Sequence, residues 1–318
     1  DYLEARREDV EYEMDGVVIK VNDFSLRRFL GSRARTPRWA CAHKFSPREE
    51  STTLKKIEIQ VGRTGRLTPR AHLEPVSLGG TIVRHATLHN AKYIESLDIR
   101  VGDTVMVRRA GDVIPQILGS LAQERSGKEE AFLWPTSCPS CGGNISVKGE
   151  HRYCFNMDCP AQIQRRVLHL ASRQALRVEG LGEKAVKQFV DAGLLKSVED
   201  IFSLDYEKIS GLDRWGEKSA LALKDQVEQA KSPDLPRFLY GLGIPEVGAE
   251  TARALCQVFP VLDAFCSLAE KADAVEVLQS VEGVGEEVAQ SILGFFQDPR
   301  NLAALEKMSS AGLVPQAI

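Results

Sequence analysis

Residues 178–190 read VEGLGEKAVKQFV: an apolar residue, a glycine-bounded turn, then a helix rich in small side chains. The order recurs as ISGLDRWGEKSALAL at 209–223, LGIPEVGAETARAL at 242–255 and VEGVGEEVAQSIL at 281–293. Each turn hands the first, unpaired N–H groups of the following helix to solvent, a place where the helix favours an anion. Taken singly, any one copy also fits a plain helical bundle whose glycines are C-caps. Four copies, at intervals of roughly thirty to forty residues, argue for a repeat with a shared role. The glycines that open the four helices, Gly182, Gly216, Gly248 and Gly285, are the candidate contact points.

This is the helix-hairpin-helix device, in which backbone amides rather than side-chain charges meet the phosphates of DNA. It accounts for a region that is acidic and still suited to a polyanion: residues 181–318 hold 13 Lys+Arg against 22 Asp+Glu. The opposite balance lies further forward, with 18 Lys+Arg against 9 Asp+Glu in residues 20–120. That excess reads as a polyanion-facing surface, with ordinary solvated charge as the plainer alternative.

Upstream of the repeat, Cys138-Pro-Ser-Cys141 is followed by Cys154 and Cys159. Four thiolates in two knuckles close a tetrahedral shell around zinc with no position left for water, so the site is expected to be structural. Gly142-Gly143 lets the chain turn behind the first knuckle. A redox Cys-x-x-Cys is the competing reading, but it needs neither Cys154 nor Cys159 and belongs before a helix in a βαβ unit. The other three cysteines, Cys41, Cys256 and Cys266, are scattered and read as small buried hydrophobes. An odd total of seven argues against a disulfide framework and for a reducing compartment.

Residues 47–134 alternate as strands do in LKKIEIQV and DTVMVRR, with turns at Gly62, Gly65, Gly79-Gly80 and Val101-Gly102-Asp103. About five strands and one short helix near residues 90–97 suggest a small closed barrel of the OB type. The expected architecture is therefore multidomain α+β. Residues 1–46 form a remnant too small to fold alone, 47–134 an OB-fold β-barrel, 135–162 a small four-cysteine zinc finger and 163–318 an all-α helix-hairpin-helix domain. No stretch is apolar enough to span a membrane. The sequence starts at Asp1 and shows no charged-then-apolar leader, so a piece of a longer cytoplasmic chain is expected.

The front stretch EYEMDGVVIKVND, residues 11–23, poses a question of its own. Enzymes that attach a nucleotide to their own lysine carry Lys-x-Asp-Gly, whereas Glu13-Met14-Asp15-Gly16 has glutamate where the nucleophile belongs. In the strand that follows, Val17, Ile19 and Val21 share one face and Val18, Lys20 and Asn22 the other. By itself Lys20 fits a nucleotide pocket or the gatekeeper charge of an edge strand.

Taken together these motifs resemble bacterial NAD-dependent DNA ligase. Residues 13–20 look like that family's nucleotidyltransferase motif IV and His43-Lys44-Phe45 like its motif V. VGRTG (61–65), ATLHN (86–90) and RRAGDVIPQ (108–116) resemble its OB signatures, and the four-cysteine finger and hairpins complete the family's order. The resemblance implies that the Asp-Gly is a different motif from the nucleophile's, with Asp15 positioning phosphate or metal. The adenylated lysine is then expected upstream, outside this sequence, and Lys20 and Lys44 contact the adenylate. It further implies that Arg63, Thr64 and Arg109, with the apolar pair Val113 and Ile114, grip DNA at the nick. NAD as AMP donor, structural zinc, magnesium or manganese, nicked duplex DNA as partner and a monomeric state follow as expectations. A non-catalytic protein that only clamps nicked DNA is the alternative from another class.

Overall fold

The computed structural model describes residues 2–6, 9–11, 14–33, 36–46, 48–110, 114–156 and 158–317. They fall into two compact units: Asp1–Gln60 with Arg66–Pro139 and Ile145–Tyr153, and Val61–Gly65 with Ser140–Asn144 and Cys154–Ile318. The units cut across the expected boundaries. Residues 1–46 cluster with the barrel, and the loop 61–65 inside the barrel's sequence clusters with the helical region.

In the first unit, helix α1 (Tyr2–Ala5) precedes a two-stranded ribbon, β1 (Gly16–Lys20) and β2 (Ala40–Lys44), paired antiparallel with Gly16 opposite Lys44 and Lys20 opposite Ala40. Gly16 has a packing reason, since a Cβ there would lie 2.5 Å from the carbonyl oxygen of His43. Between the strands, α2 (Phe24–Leu30) is started by Asp23, whose carboxylate accepts from the amide of Ser25 at 2.7 Å. The alternation of β1 does not become burial: Val18 and Ile19, on opposite faces, are 59% and 66% exposed. A two-stranded ribbon offers no second layer against which either face can be buried.

The barrel is built from β3 (Glu49–Val61), β4 (Arg66–Leu78), β5 (Thr81–Thr87), then, after α3 (Ala91–Ser96) and the short β6 (Arg100–Val101), β7 (Thr104–Ala110) and β8 (Ile114–Ser120). The hydrogen-bonded order β4-β3-β7-β8-β5 closes because β5 also pairs with β4, giving five strands without an open edge. Alternate residues of β4, Leu67, Pro69, Ala71 and Leu73, point inward. Of these, Ala71 and Leu73 join Leu54 of β3, Val105 and Val107 of β7 and Ile117 of β8 in the barrel core. Helix α3 spans the predicted place, with Asn90 accepting from the amide of Tyr93 at 2.8 Å and Ile94 buried. Outside the barrel, β9 (Glu130–Ala131) pairs with β6, and the hairpin β10 (Ile145–Lys148) and β11 (His151–Cys154) extends the sheet from β4. Asp103, 1% exposed, is the barrel's buried charge; Arg125 Nε and Nη2 each donate to its carboxylate at 2.8 Å.

The second unit is helical: α4 (Pro160–Leu170), α5 (Glu183–Asp191), α6 (Tyr206–Ser210), α7 (Glu217–Gln229), α8 (Leu235–Gly241), α9 (Ala249–Val258), α10 (Leu262–Ala269), α11 (Ala274–Gln279), α12 (Glu286–Gln297) and α13 (Pro299–Ser310). The pairs α4–α5, α6–α7, α8–α9 and α11–α12 pack together, so each predicted repeat is a helical hairpin. One continuous core runs through them, with Phe189, Phe238 and Phe265 fully buried. Among the described residues no single helix is long and apolar enough to cross a membrane.

Candidate nucleotide, metal and nucleic-acid sites

On the β1–β2 ribbon, directly opposed residues project to the same side. Gly16, Val18 and Lys20 therefore share a face with Lys44, Ala42 and Ala40. Lys20 and Lys44 stand at its two ends, separated by four residues of strand, about 13 Å. Small side chains lie between them. Lys44 Nζ is ion-paired with Asp15 Oδ2, which joins two predicted site residues. Lys20 lies at the other end and is exposed. Arg27, one of the 18 basic residues of 20–120, serves the fold instead: its guanidinium lies 4.5 Å from the ring centre of Phe24 and 4.7 Å from that of Trp39.

The sulfurs of Cys138, Cys141, Cys154 and Cys159 all lie within 4.8 Å of one another, and all but Cys141 are buried. Cys141 and Cys154 approach to 3.6 Å, close to the ~3.8 Å edge of a tetrahedron of thiolates about 2.3 Å from zinc. A disulfide would bring sulfurs to about 2.05 Å. Gly142 is left-handed at φ 69°, and a Cβ on Gly143 would lie 3.3 Å from the Cys141 sulfur, so both glycines let the knuckle wrap its own ligand. Cys159 is the N-cap of α4, where the helix end favours a thiolate. The donor set and spacing fit zinc.

In the hairpins, Gly182, Gly216, Gly248 and Gly285 are the N-caps of α5, α7, α9 and α12. Their φ values, −83°, −157°, −85° and −88°, suit any residue, and a Cβ at each would meet nothing within 4 Å. Neither backbone strain nor internal packing asks for glycine at these four places. At Gly182, Gly248 and Gly285 no side chain caps the first turn, whereas the Gly216 amide donates to Ser219 Oγ at 2.9 Å. Positive φ falls on other residues of the turns: Gly180 at 97°, Arg214 at 65°, Gly243 at 70°, Glu246 at 60° and Gly283 at 82°.

The expected DNA-gripping residues divide. Thr64 is exposed. Arg63 Nη1 donates to the carbonyl of Gly243 in the third hairpin, within the second unit. Arg109 Nη1 donates to Gly79 O at 3.1 Å, so its guanidinium sits over the β4–β5 turn. Val113 lies outside the described residues, and Ile114 opens β8 with its side chain likewise outside them.

Two groups had no motif to announce them. Gln162, 2% exposed, donates to Cys154 O at 2.8 Å and Asn156 O at 3.0 Å. Arg166, one turn on, donates to Gln162 Oε1 at 3.1 Å and to Arg63 O at 3.2 Å. Burial, reinforced by nearby Arg300, pushes the Arg166 guanidinium below its usual range. The only sequence signal for Gln162 is its place three residues after a ligand cysteine, at the start of a helix. On the barrel's outer side His72 Nε2 meets Glu58 Oε2 at 2.7 Å, and that bond holds the Glu58 carboxyl below its ordinary range. Burial pushes His85 down, and its Nδ1 is buried with no hydrogen-bond partner among the described residues.

Comparison with known proteins falls on the same segments. The model of the NAD-dependent DNA ligase adenylation domain matches residues 1–48, and that of the NAD-dependent DNA ligase OB-fold domain matches 51–129. A SAM-like helix-hairpin-helix tandem matches 172–229 and a helix-hairpin-helix motif 237–305. The chain belongs to the NAD-dependent DNA ligase family. Relatives named DNA ligase include those of Salinibacter ruber, 46% identical over 314 residues, and Herpetosiphon aurantiacus, 45% over 311. That of Bacillus thuringiensis is 42% identical over 313. These alignments cover 97–98% of this chain and 45–46% of the relatives, so the chain spans about half the length of the ligases it matches.

Proposed function

We propose that this chain carries the nick-binding and phosphate-neutralising part of an NAD-dependent DNA ligase acting on duplex DNA with a 5′-phosphate and a 3′-hydroxyl. The observation that carries the reading is the set of four N-cap glycines for which the fold itself has no use. Amides at helix starts suit the phosphates of a duplex regardless of base sequence. The ribbon bearing Lys20, Lys44 and Asp15 supplies the nucleotide end.

In the family reaction a lysine takes AMP from NAD, AMP passes to the 5′-phosphate at the nick, and the 3′-hydroxyl displaces it. In the last step the hydroxyl oxygen bonds to the 5′-phosphorus, its proton leaves, and the bond to AMP breaks. Lys20 and Lys44, cationic at two ends of a flat floor, would offset charge gathering on the phosphate as it is transferred. Asp15 would hold Lys44 in place. Cys138, Cys141, Cys154 and Cys159 would hold zinc as a structural clamp, and magnesium or manganese would neutralise phosphate charge when bound. The setting proposed is a monomer at work on nucleoid DNA in the cytoplasm.

The second reading is a nicked-DNA clamp without chemistry. Nicked duplex already carrying AMP on its 5′-phosphate separates the two, because joining it needs no enzyme nucleophile. Sealing above the protein-free rate, lost in Lys44→Ala, supports the ligase reading; tight binding without sealing supports the clamp. Incubation with NAD and magnesium should leave Lys20 and Lys44 unmodified in the intact-mass spectrum, and an adenylate on either would refute their assignment as charge-neutralising groups.

A further inference from the structure

We infer that Arg63 is a positioning residue that ties the third hairpin to the four-cysteine cluster. The path lies wholly within the second unit and can be followed bond by bond. At the cluster, the main-chain carbonyls of Cys154 and Asn156 accept from the side-chain amide of Gln162, which is buried. Gln162 Oε1 holds Arg166 Nη2 at 3.1 Å, and Arg166 Nε holds the carbonyl of Arg63 at 3.2 Å. Arg63 Nη1 then reaches the carbonyl of Gly243, in the turn between α8 and α9. The loop that carries Arg63 is pinned from its other side as well, because Gly65 O accepts from the amide of Cys154 at 2.9 Å.

Glycine is required at both ends of this path. Gly65 is left-handed at φ 78°, and a Cβ there would overlap the Cys154 carbonyl. Gly243 is left-handed at φ 70°, and a Cβ there would overlap the Arg63 guanidinium and crowd the ring of His169 at 3.3 Å. The His169 ring, lying against Tyr240 with Nε2 2.8 Å from its carbonyl oxygen, holds the end of α8 beside the same turn. These are two glycines with an internal reason to be glycine, in contrast to the four N-caps.

The direction of the coupling follows from where the ligands lie. Cys159 begins α4, so gathering the thiolates onto a metal sets the first turn of the helix that bears Gln162 and Arg166. Their side chains set Arg63, and Arg63 sets the carbonyl of Gly243, five residues before the N-cap Gly248. Metal occupancy is in this way transmitted to the geometry of one phosphate-facing turn. The inference uses the DNA-binding reading only for the purpose of that turn; the path itself stands without it.

The test is amide hydrogen exchange on the full chain, loaded with zinc and free of DNA, followed by duplex binding across a salt series. Arg63→Ala should speed exchange over residues 242–252 by roughly tenfold, the worth of one charge-assisted bond, and leave the second and fourth hairpins unchanged. Stripping the metal with a chelator from the unmodified chain should speed exchange over the same segment. Arg63→Lys, which keeps a charge and one donor, should restore part of the protection, and it carries the test if the alanine variant does not fold. Arg63→Ala should also weaken duplex binding with no change in the slope of log affinity against log salt. A direct phosphate contact would reduce that slope by about one. Unchanged exchange in Arg63→Ala, or an increase shared equally by all four hairpins, overturns the inference. A reduced slope with unchanged exchange would return Arg63 to the DNA surface. Because the exchange arm contains no DNA, its failure is distinct from a failure of the chain to bind duplexes at all.

Discussion

Replacing Gly182 with aspartate should make the protein more stable and its DNA binding weaker. The N-cap backbone of α5, φ −83° and ψ 174°, is the extended conformation that aspartate adopts at this position, and the new Cβ meets nothing within 4 Å. The carboxylate would accept from amides in the first turn that glycine leaves without a side-chain partner. A better cap contributes a few tenths of a kcal/mol, and removing glycine's freedom from the unfolded chain about 0.4–1 kcal/mol, so a net gain of roughly 0.5–1.5 kcal/mol is expected. The same carboxylate takes the amides that a phosphate would use and repels the phosphate. Loss of charge-assisted bonds costs about 1.5–3 kcal/mol, or roughly ten- to one-hundred-and-fifty-fold in affinity. Urea denaturation followed by circular dichroism reads the first effect. Fluorescence anisotropy on nicked and intact duplexes of several sequences reads the second. Gly182→Ser separates the cap from the charge: it should keep most of the stability gain and lose less affinity. A stabilised aspartate variant that binds every duplex as before refutes the reasoning, as does a loss confined to one base sequence.

Arg125→Met should lower the urea midpoint of the barrel, because the Asp103 carboxylate, 1% exposed, is left buried without its countercharge; an unchanged midpoint would show that the pair contributes nothing to stability. Cys154→Ser should lower zinc measured by plasma emission spectrometry well below one ion per chain and lower the melting temperature, and full zinc content in a folded variant contradicts the site. Glu129 is held at about 2, below its ordinary 4.5, first by the backbone amide of Ser126 and also by that of Gly127. The folded state binds this proton more weakly than the unfolded state, so the contribution is complete above pH 4.5 and is lost as pH falls through about 2. Glu129→Gln should therefore flatten the stability profile across that window, and a carboxyl titration by NMR with a midpoint near 4.5 would refute the assignment.

The barrel and the hairpins were legible because their signals are local. Alternation along β4 and the turn at Gly102, with φ 99°, follow from neighbouring residues, as does the helix start at Asn90. The cysteine quartet was legible because ligand spacing is a chain property, and its sulfurs do converge. Long-range partners were not legible. Arg63 and Gly243 lie 180 residues apart, and nothing in VGRTG indicates that the arginine ends on a carbonyl. Arg109, whose basic neighbourhood suggests a phosphate, spends a donor on Gly79 for the same reason. Burial on the β1–β2 ribbon could not be read from its alternation, since alternation marks faces and only a second layer buries one. The glycine pattern of each hairpin mixed two roles, turn conformation and helix N-cap, and only the φ values and the space around each Cβ separate them.

The assignment of residues 61–65 to the helical unit has a consequence for how the chain is made. Proteins are synthesised from the N-terminus at about 5–20 residues per second. Arg63 therefore precedes the carbonyl it must meet, 180 residues later, by about 9–36 s of elongation. A nascent barrel leaves the ribosome with this loop still lacking its docking point, and the helical unit cannot be completed by any polypeptide that starts after residue 65. Expression of residues 163–318 alone would yield helices whose third turn has lost its clamp, whereas supplying the front half as a separate polypeptide makes that clamp a matter of concentration.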